Sequence, residues 1–254
     1  PICHAGLFES LPRDIGGLAR IVQGLLIHEH MTEAYGVKLP PERHAEAHVR
    51  PLAGMLDKIA ASDARPLSTA RAPDRRHVCV CRSFALLMVA MLRSQGKGYD
   101  NWIAEYWDAT AKRWVMVDAQ VDDRQRRMFG VTIDTLDVPR EQFLVAGDAW
   151  RLCRAGKADP KTFGILNMWG YWFIASNIVR DIAALNNREM LPWDCWGIMT
   201  QDDKQLDHAL FDRLAELTHE PDRHFAEIRA LAGDARFSVP PTVFNAVLNR
   251  PEAA

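Results

Sequence analysis

The stretch HVCVCRSFALLMVAML, His77 to Leu92, decides how the rest of the chain reads. Two cysteines, Cys79 and Cys81, stand one residue apart where a polar, proline-bearing segment turns into a long apolar run. Such a pair fits a metal clip, a redox pair, a nucleophile at a helix mouth, or two small buried residues. The run from Cys81 to Leu92 is rich in leucine, methionine and alanine, and Arg93 and Gly96 follow it. Those are helix formers followed by helix C-terminal signals, so the spacing predicts a buried helix opening at Cys81. Neighbouring side chains on the extended segment before it point to opposite faces, which keeps Cys79 and Cys81 from bonding to each other. A metal clip requires a second cysteine or histidine pair at comparable spacing, and none lies nearby.

A thiol in the first turn of a helix feels the positive end of the macrodipole and the free backbone N–H groups, both of which favour thiolate. The same N–H groups are placed to stabilise an oxyanion. Cys79 lies before the helix and lacks that help, so Cys81 is the better nucleophile. The plainer reading, in which both are small buried residues, stands beside it.

Upstream, DIGGLARIVQGLLIHEHMTEAYG carries apolar residues at helical spacing and predicts one helix stopped by Gly36. PPERHAEAHVRPLAGMLDKIAAS opens with proline and glutamate suited to a first turn, and Pro51 predicts a kink or break. Downstream the period changes. NWIAEYWD (101–108) and KRWVMVDAQ (112–120) alternate and are rich in aromatic and β-branched residues, so they read as two strands joined by a hairpin-length loop. The remainder returns to helical patterns, including PREQFLVAGDAWRLCRAG, LNMWGYWFIASNIVRDIAALNN, DDKQLDHALFDRLAELTHE, DRHFAEIRALAGDA and PPTVFNAVLNR. The expected fold class is α+β: a helix-rich single domain, 1–254, with a small antiparallel sheet. Its parts are an N-terminal helical part at 1–75, a core at 76–121 and a C-terminal helical part at 122–254.

The order cysteine helix, aromatic strand, then a strand ending RWVMVD resembles the transglutaminase-like superfamily of cysteine acyl-transfer proteins. VCVCRSFALLMVAMLRSQG, DNWIAEYWD and RWVMVDAQ carry the likeness, over about Arg76 to Val121. The resemblance implies a cysteine-peptidase-like core in which Cys81 is the nucleophile and Asp118 orients an imidazole. It also implies a thioester intermediate on an amide or ester substrate, small molecule or peptide, with no metal or organic cofactor. Asn101 stands where that family has its catalytic histidine. Asparagine hydrogen-bonds but takes no proton near neutral pH, and losing one member of a triad lowers rates by several orders of magnitude. In that family a further strand usually separates the cysteine helix from the histidine strand, whereas here only the five-residue GKGYD joins them, so helices cover the hairpin, another strand pairs with it, or the chain lacks a segment. The resemblance therefore implies either a cysteine acyltransferase or hydrolase, or an impaired or binding-only relative that keeps the fold.

The bulk numbers restrict other functions. With 31 basic and 33 acidic residues the net charge is -2, too little field to hold nucleic acid or an anionic membrane. RQRR (124–127) reads as a solvated turn or helix face. The longest apolar run, FALLMVAML, is nine residues, about half a bilayer span. Five scattered cysteines and no visible export signal lead to an expected cytosolic location. HEH (28–30) and HAEAH (44–48) are rich in ligand types but lack the zincin spacing, and surface or helix-end histidines are the plainer reading. No phosphate-binding glycine motif is present. His77, His28, His30, His44 and His48 are the histidines available to substitute for a base at 101. Trp102, Trp107, Trp114, Trp169, Trp172, Trp193 and Trp196 read as core filling, with an aromatic substrate pocket as the alternative.

Overall fold

The computed structural model describes residues 2–96, 99–101, 103–165 and 167–254, without the side chains of 2, 3, 5 and 99–101. The chain divides into two compact units, Pro1–Arg140 and Glu141–Ala254. Helices and small sheets occur in both, an α+β architecture. No helix among the described residues is long and apolar enough to cross a membrane.

In the first unit α1 spans Ile15–Leu25, capped by Asp14, whose carboxylate accepts from the Gly17 N–H at 2.7 Å. The expected long helix ends there. Leu26–His28 leaves it as a short strand, β1, and Glu29–Tyr35 continues as a 3-10 segment. Gly36 stops that segment in the left-handed region, φ 73°. The strand forms because β2, His77–Cys79, lies parallel to it, with Leu26, Ile27 and His28 opposite His77, Val78 and Cys79. Neither strand shows in the local pattern. The apolar residues of β1 continue the helical spacing of α1, and only a distant partner makes them extended. Pro51 breaks the next pattern as its ring requires: a 3-10 turn covers Pro41–His48, and α2 restarts at Leu52–Ser62.

Helix α3 runs Cys81–Ser94, and ten of its residues are buried. It packs on α1, α2 and one face of a three-stranded antiparallel sheet of β3 (Tyr99–Asn101), β4 (Ile103–Asp108) and β5 (Arg113–Val117), in that order. In β4 and β5, Ala104, Tyr106, Val115 and Val117 face this core, and Ile103 and Met116 face a smaller cluster with Val138 and Ile133. The period of two read from the sequence is thus the two-sidedness of the sheet. Leu87 and Leu92 are wholly buried on α3, and truncating either to alanine costs about 2–5 kcal/mol. RQRR forms part of a short helix, α4, at Asp123–Phe129.

The second unit packs α5 (Ala146–Arg154), α6 (Tyr171–Leu185), α7 (His208–His219) and α8 (Phe225–Leu231). Between α5 and α6 lie β6 (Gly164–Ile165) and β7 (Met168–Trp169). Trp150 is fully buried against the rings of Tyr171, His208 and Phe211, and its indole N–H donates to Asp212 at 2.8 Å. PPTVFNAVLNR is not the expected helix. It supplies β9 (Thr242–Asn245) and opens β10 (Arg250–Ala253), which with β8 (Asp194–Cys195) make an antiparallel sheet ordered β10-β9-β8. Val243 and Asn245 are buried while Thr242 and Phe244 are exposed, an alternation that fits a strand and not a helix.

Candidate functional site

Cys81 is the first residue of α3. The preceding residue, Val80, is extended and makes no side-chain cap, so the N–H groups of the first turn are not taken by a capping oxygen. The backbone N–H groups of Arg82 and of Cys81 itself face the sulfur. The thiol is nevertheless desolvated. Burial first, and then the negative charge of Asp118, push its pKa up to about 11 against those N–H groups. A helix N-terminus is worth about 0.3–1 kcal/mol, less than one tenfold step in ionisation, and does not offset that burial. Cys81 therefore rests as a neutral thiol at pH 7 to a greater degree than a free cysteine.

Cys79 has the bland fate. It is fully buried, its pKa is raised well above normal by burial, and Ser83 and the Ile27 N–H hold its sulfur. Cys79, Cys81, Cys153 and Cys195 are free thiols.

Asp118 follows β5 and is close enough for its charge to act on Cys81. Its Oδ1 accepts from the Gln120 N–H at 2.9 Å and the Val121 N–H at 3.4 Å, and its own N–H donates to the Thr135 carbonyl at 2.8 Å. Burial raises the carboxyl's pKa against those two N–H bonds. The sequence-read pair Cys81 and Asp118 is therefore brought together. Asn101 ends β3 opposite Ile103, and its side chain lies outside the described residues, as does the whole of Trp102. Its backbone and Asp118 are not on adjacent strands, because β4 runs between β3 and β5.

The five histidines considered as substitutes divide clearly. His77 is buried on β2, 3.5 Å from Glu46, and burial drops its pKa to about 4 despite that carboxylate. Glu46 is held by Arg43 at 2.7 Å and by the Val78 N–H at 2.9 Å. His30 and His44 both pair with Glu29, at 3.8 and 3.5 Å. His48 is engaged in contacts of its own on the 3-10 turn. His28 alone comes beside the cysteine strand, opposite Cys79. Its pKa is lowered to about 4, by burial and then by His30, and its Nδ1 accepts from the His30 N–H at 3.2 Å. That bond leaves the proton on Nε2, so in this tautomer His28 offers the site a donor and no base. His28 and His30 come within 5.5 Å of each other because the helix ends before them, a proximity that helical geometry alone did not give.

A small cavity of about 10 Å³ adjoins the helix mouth, lined by Phe84 one turn along α3, by His28 and Tyr35, and by Gln120, Asp122 and Gln125 beyond Asp118. It has room for about one water. The polar wall is continuous: the Tyr35 hydroxyl donates to Asp122 at 2.7 Å and accepts from Gln125 at 3.0 Å, and Gln120 donates to Gln125 at 3.3 Å. This wall was not legible in the sequence, since Tyr35 and Asp122 are 87 residues apart. Trp107 and Trp114 pack edge to face at 5.7 Å on the sheet face opposite the main core, Trp169 is exposed beneath Lys161, and Trp196 is buried. Among the described residues no group of three His, Cys, Asp or Glu side chains is placed to hold a metal ion. No family model, curated protein or solved structure matches the chain.

Proposed function

We propose that the chain is a transglutaminase-like acyl-transfer scaffold whose nucleophile, Cys81, rests as a neutral thiol because its proton carrier is replaced by Asn101. The observation that supports this reading most is the placement of Cys81 in the first turn of α3, with backbone N–H groups at its sulfur and the Asp118 carboxylate near it. In the full reaction the thiol gives up its proton and Sγ bonds to the carbonyl carbon of an amide or ester. The leaving amine or alcohol departs with a proton, and a thioester remains. Water then adds, releasing the acid and restoring the thiol. Cys81 supplies the bond, its own backbone N–H would help hold the oxyanion, and the resemblance assigns Asp118 to align an imidazole at 101. Without that imidazole neither the deprotonation nor the leaving-group protonation has a carrier, and the substrate site keeps only its binding role.

An activated ester, p-nitrophenyl acetate, tests the reading. The native chain is expected to release p-nitrophenolate no faster than a free thiol of matched ionisation. Asn101→His is expected to raise acylation of Cys81 by about 10²–10⁴-fold, the usual worth of a positioned acid–base group. Acetyl–Cys81 is to be identified by mass, and Cys81→Ala must abolish it. If the histidine variant is folded and acylates no faster, residue 101 is not the missing member.

A further inference from the structure

The wall beside the helix mouth carries an unbalanced positive charge. The guanidinium of Arg76 lies 5.6 Å from the centre of the Tyr35 ring, and that of Arg124 lies 5.4 Å from it. Tyr35 is a fixed post for both, since its hydroxyl is held by Asp122 and Gln125. Arg76 donates through Nε to the Arg71 carbonyl at 3.2 Å, and Arg124 donates to the Ala34 carbonyl. Among the described residues neither guanidinium is hydrogen-bonded to a carboxylate. The carboxylate at this post is Asp122, held by the Tyr35 hydroxyl, and Arg124 repels Arg76. Two cations therefore face one anion. Arg76 is partly desolvated as well, and burial lowers its pKa, so a further anion there meets less competition from water. Guanidinium groups present paired donors that match a carboxylate edge.

We propose that Arg76 and Arg124, braced on Tyr35, form a binding site for a single carboxylate carried by the acyl substrate. The substrate class is then an amide or ester bearing a free carboxylate a few atoms from the reacting carbonyl. The net charge of one favours a carboxylate over a phosphate dianion. Tyr35, on which both guanidinium groups rest, lines the same small cavity as Phe84, the residue one turn after Cys81 on α3. The assignment of reacting thiol rests on the function proposed above, and the anion site itself does not.

Two measurements separate them. In the first, Cys81 is alkylated above pH 9 by iodoacetate and by iodoacetamide, where thiolate displaces iodide in both cases. The rate ratio is divided by that of glutathione. The native chain is expected to favour the anionic reagent by about threefold or more at low ionic strength, and the preference is expected to vanish near 0.5 M salt. Arg124→Gln and Arg76→Gln are each expected to reduce it, and Arg76→Lys to keep part of it. In the second, N-acetylglycine at matched ionic strength is expected to raise the unfolding temperature of the native chain and not of the double glutamine variant, with phosphate less effective. A normalised ratio of one, unmoved by the arginine variants, overturns the proposal. So does stabilisation by phosphate above N-acetylglycine, or equal stabilisation of native and variant chains. If Cys81 stays silent to both reagents while N-acetylglycine binds through the arginines, the carboxylate site stands and the acyl-transfer reading falls.

Discussion

The first unit contains two partly buried polar sites that divide the parts of a Cys-His-acid set between them. At one, His77 has its carboxylate partner in Glu46. At the other, Cys81 has the carboxylate Asp118 near it but no imidazole among the described side chains. The two lie four residues apart in sequence. What separates them is β2, whose parallel pairing with β1 fixes the direction of every side chain from His77 to Cys79 before α3 begins. Proximity in sequence therefore supplied the ingredients without the geometry. The consequences differ: the first site holds a 3-10 turn against a strand, and the second leaves a thiol that is desolvated and not activated.

The largest test of that division is Glu46→Ala. Glu46 answers Arg43, the Val78 N–H and His77 together, so its loss is expected to destabilise the protein by about 3 kcal/mol in urea unfolding. The alkylation profile of Cys81 is expected not to move. A shifted profile would mean the two sites are coupled.

The pH dependence of stability sharpens the same point. Folded His77 takes its proton near pH 4, whereas an unfolded histidine takes it near 6.5. Between those values unfolding binds a proton, so stability falls as pH falls through the window, by up to about 3 kcal/mol. Glu46, whose pKa is lowered by Arg43 and the Val78 N–H against burial, loses its own contribution as pH falls below the ordinary glutamate range. His28, also lowered to about 4, acts in the same window, so His77→Gln is expected to reduce the slope between pH 6.5 and 4 by about half, measured by unfolding at a series of pH values. An unchanged slope would assign the loss to other groups.

At the thiol, Asp118→Asn removes a negative charge that raises the Cys81 pKa, while keeping an oxygen to accept from Gln120 and Val121. Alkylation at pH 8 is expected to speed up, by at most about tenfold, or 1.4 kcal/mol. A slower reaction would mean that Asp118 helps ionise the thiol. The smallest effect is Cys79→Ala, expected to cost about 1 kcal/mol of stability as a buried truncation and to leave the Cys81 profile intact.

The sequence disclosed those parts of the fold whose signal is local. Helix α3 is legible because fourteen residues of good helix formers end in basic and glycine signals. The β4–β5 hairpin is legible because a sheet with two differently covered faces must alternate. Strands β1 and β2, three residues each, are illegible because their partner is about fifty residues away and their composition suits either state. The C-terminal strands are illegible for a different reason: TVFN alternates, but four residues are too few to outweigh a helical spacing of apolar groups. The nearness of Cys81 and Asp118 is what the resemblance implied. The Tyr35–Asp122–Gln125 wall was not legible, because it joins residues whose only common feature is where α4 and the 3-10 segment meet.

The central claim, that Cys81 is placed as a nucleophile but held as a thiol, is tested most directly by the pH dependence of its alkylation with iodoacetamide. The Cys81 peptide is to be quantified by mass in the native chain and in Asn101→His. The native midpoint is expected well above the value near 8.5 of a free thiol, with the histidine variant moved down. A native midpoint at or below 8.5 would contradict the account, because the thiol would then be activated without any imidazole at position 101.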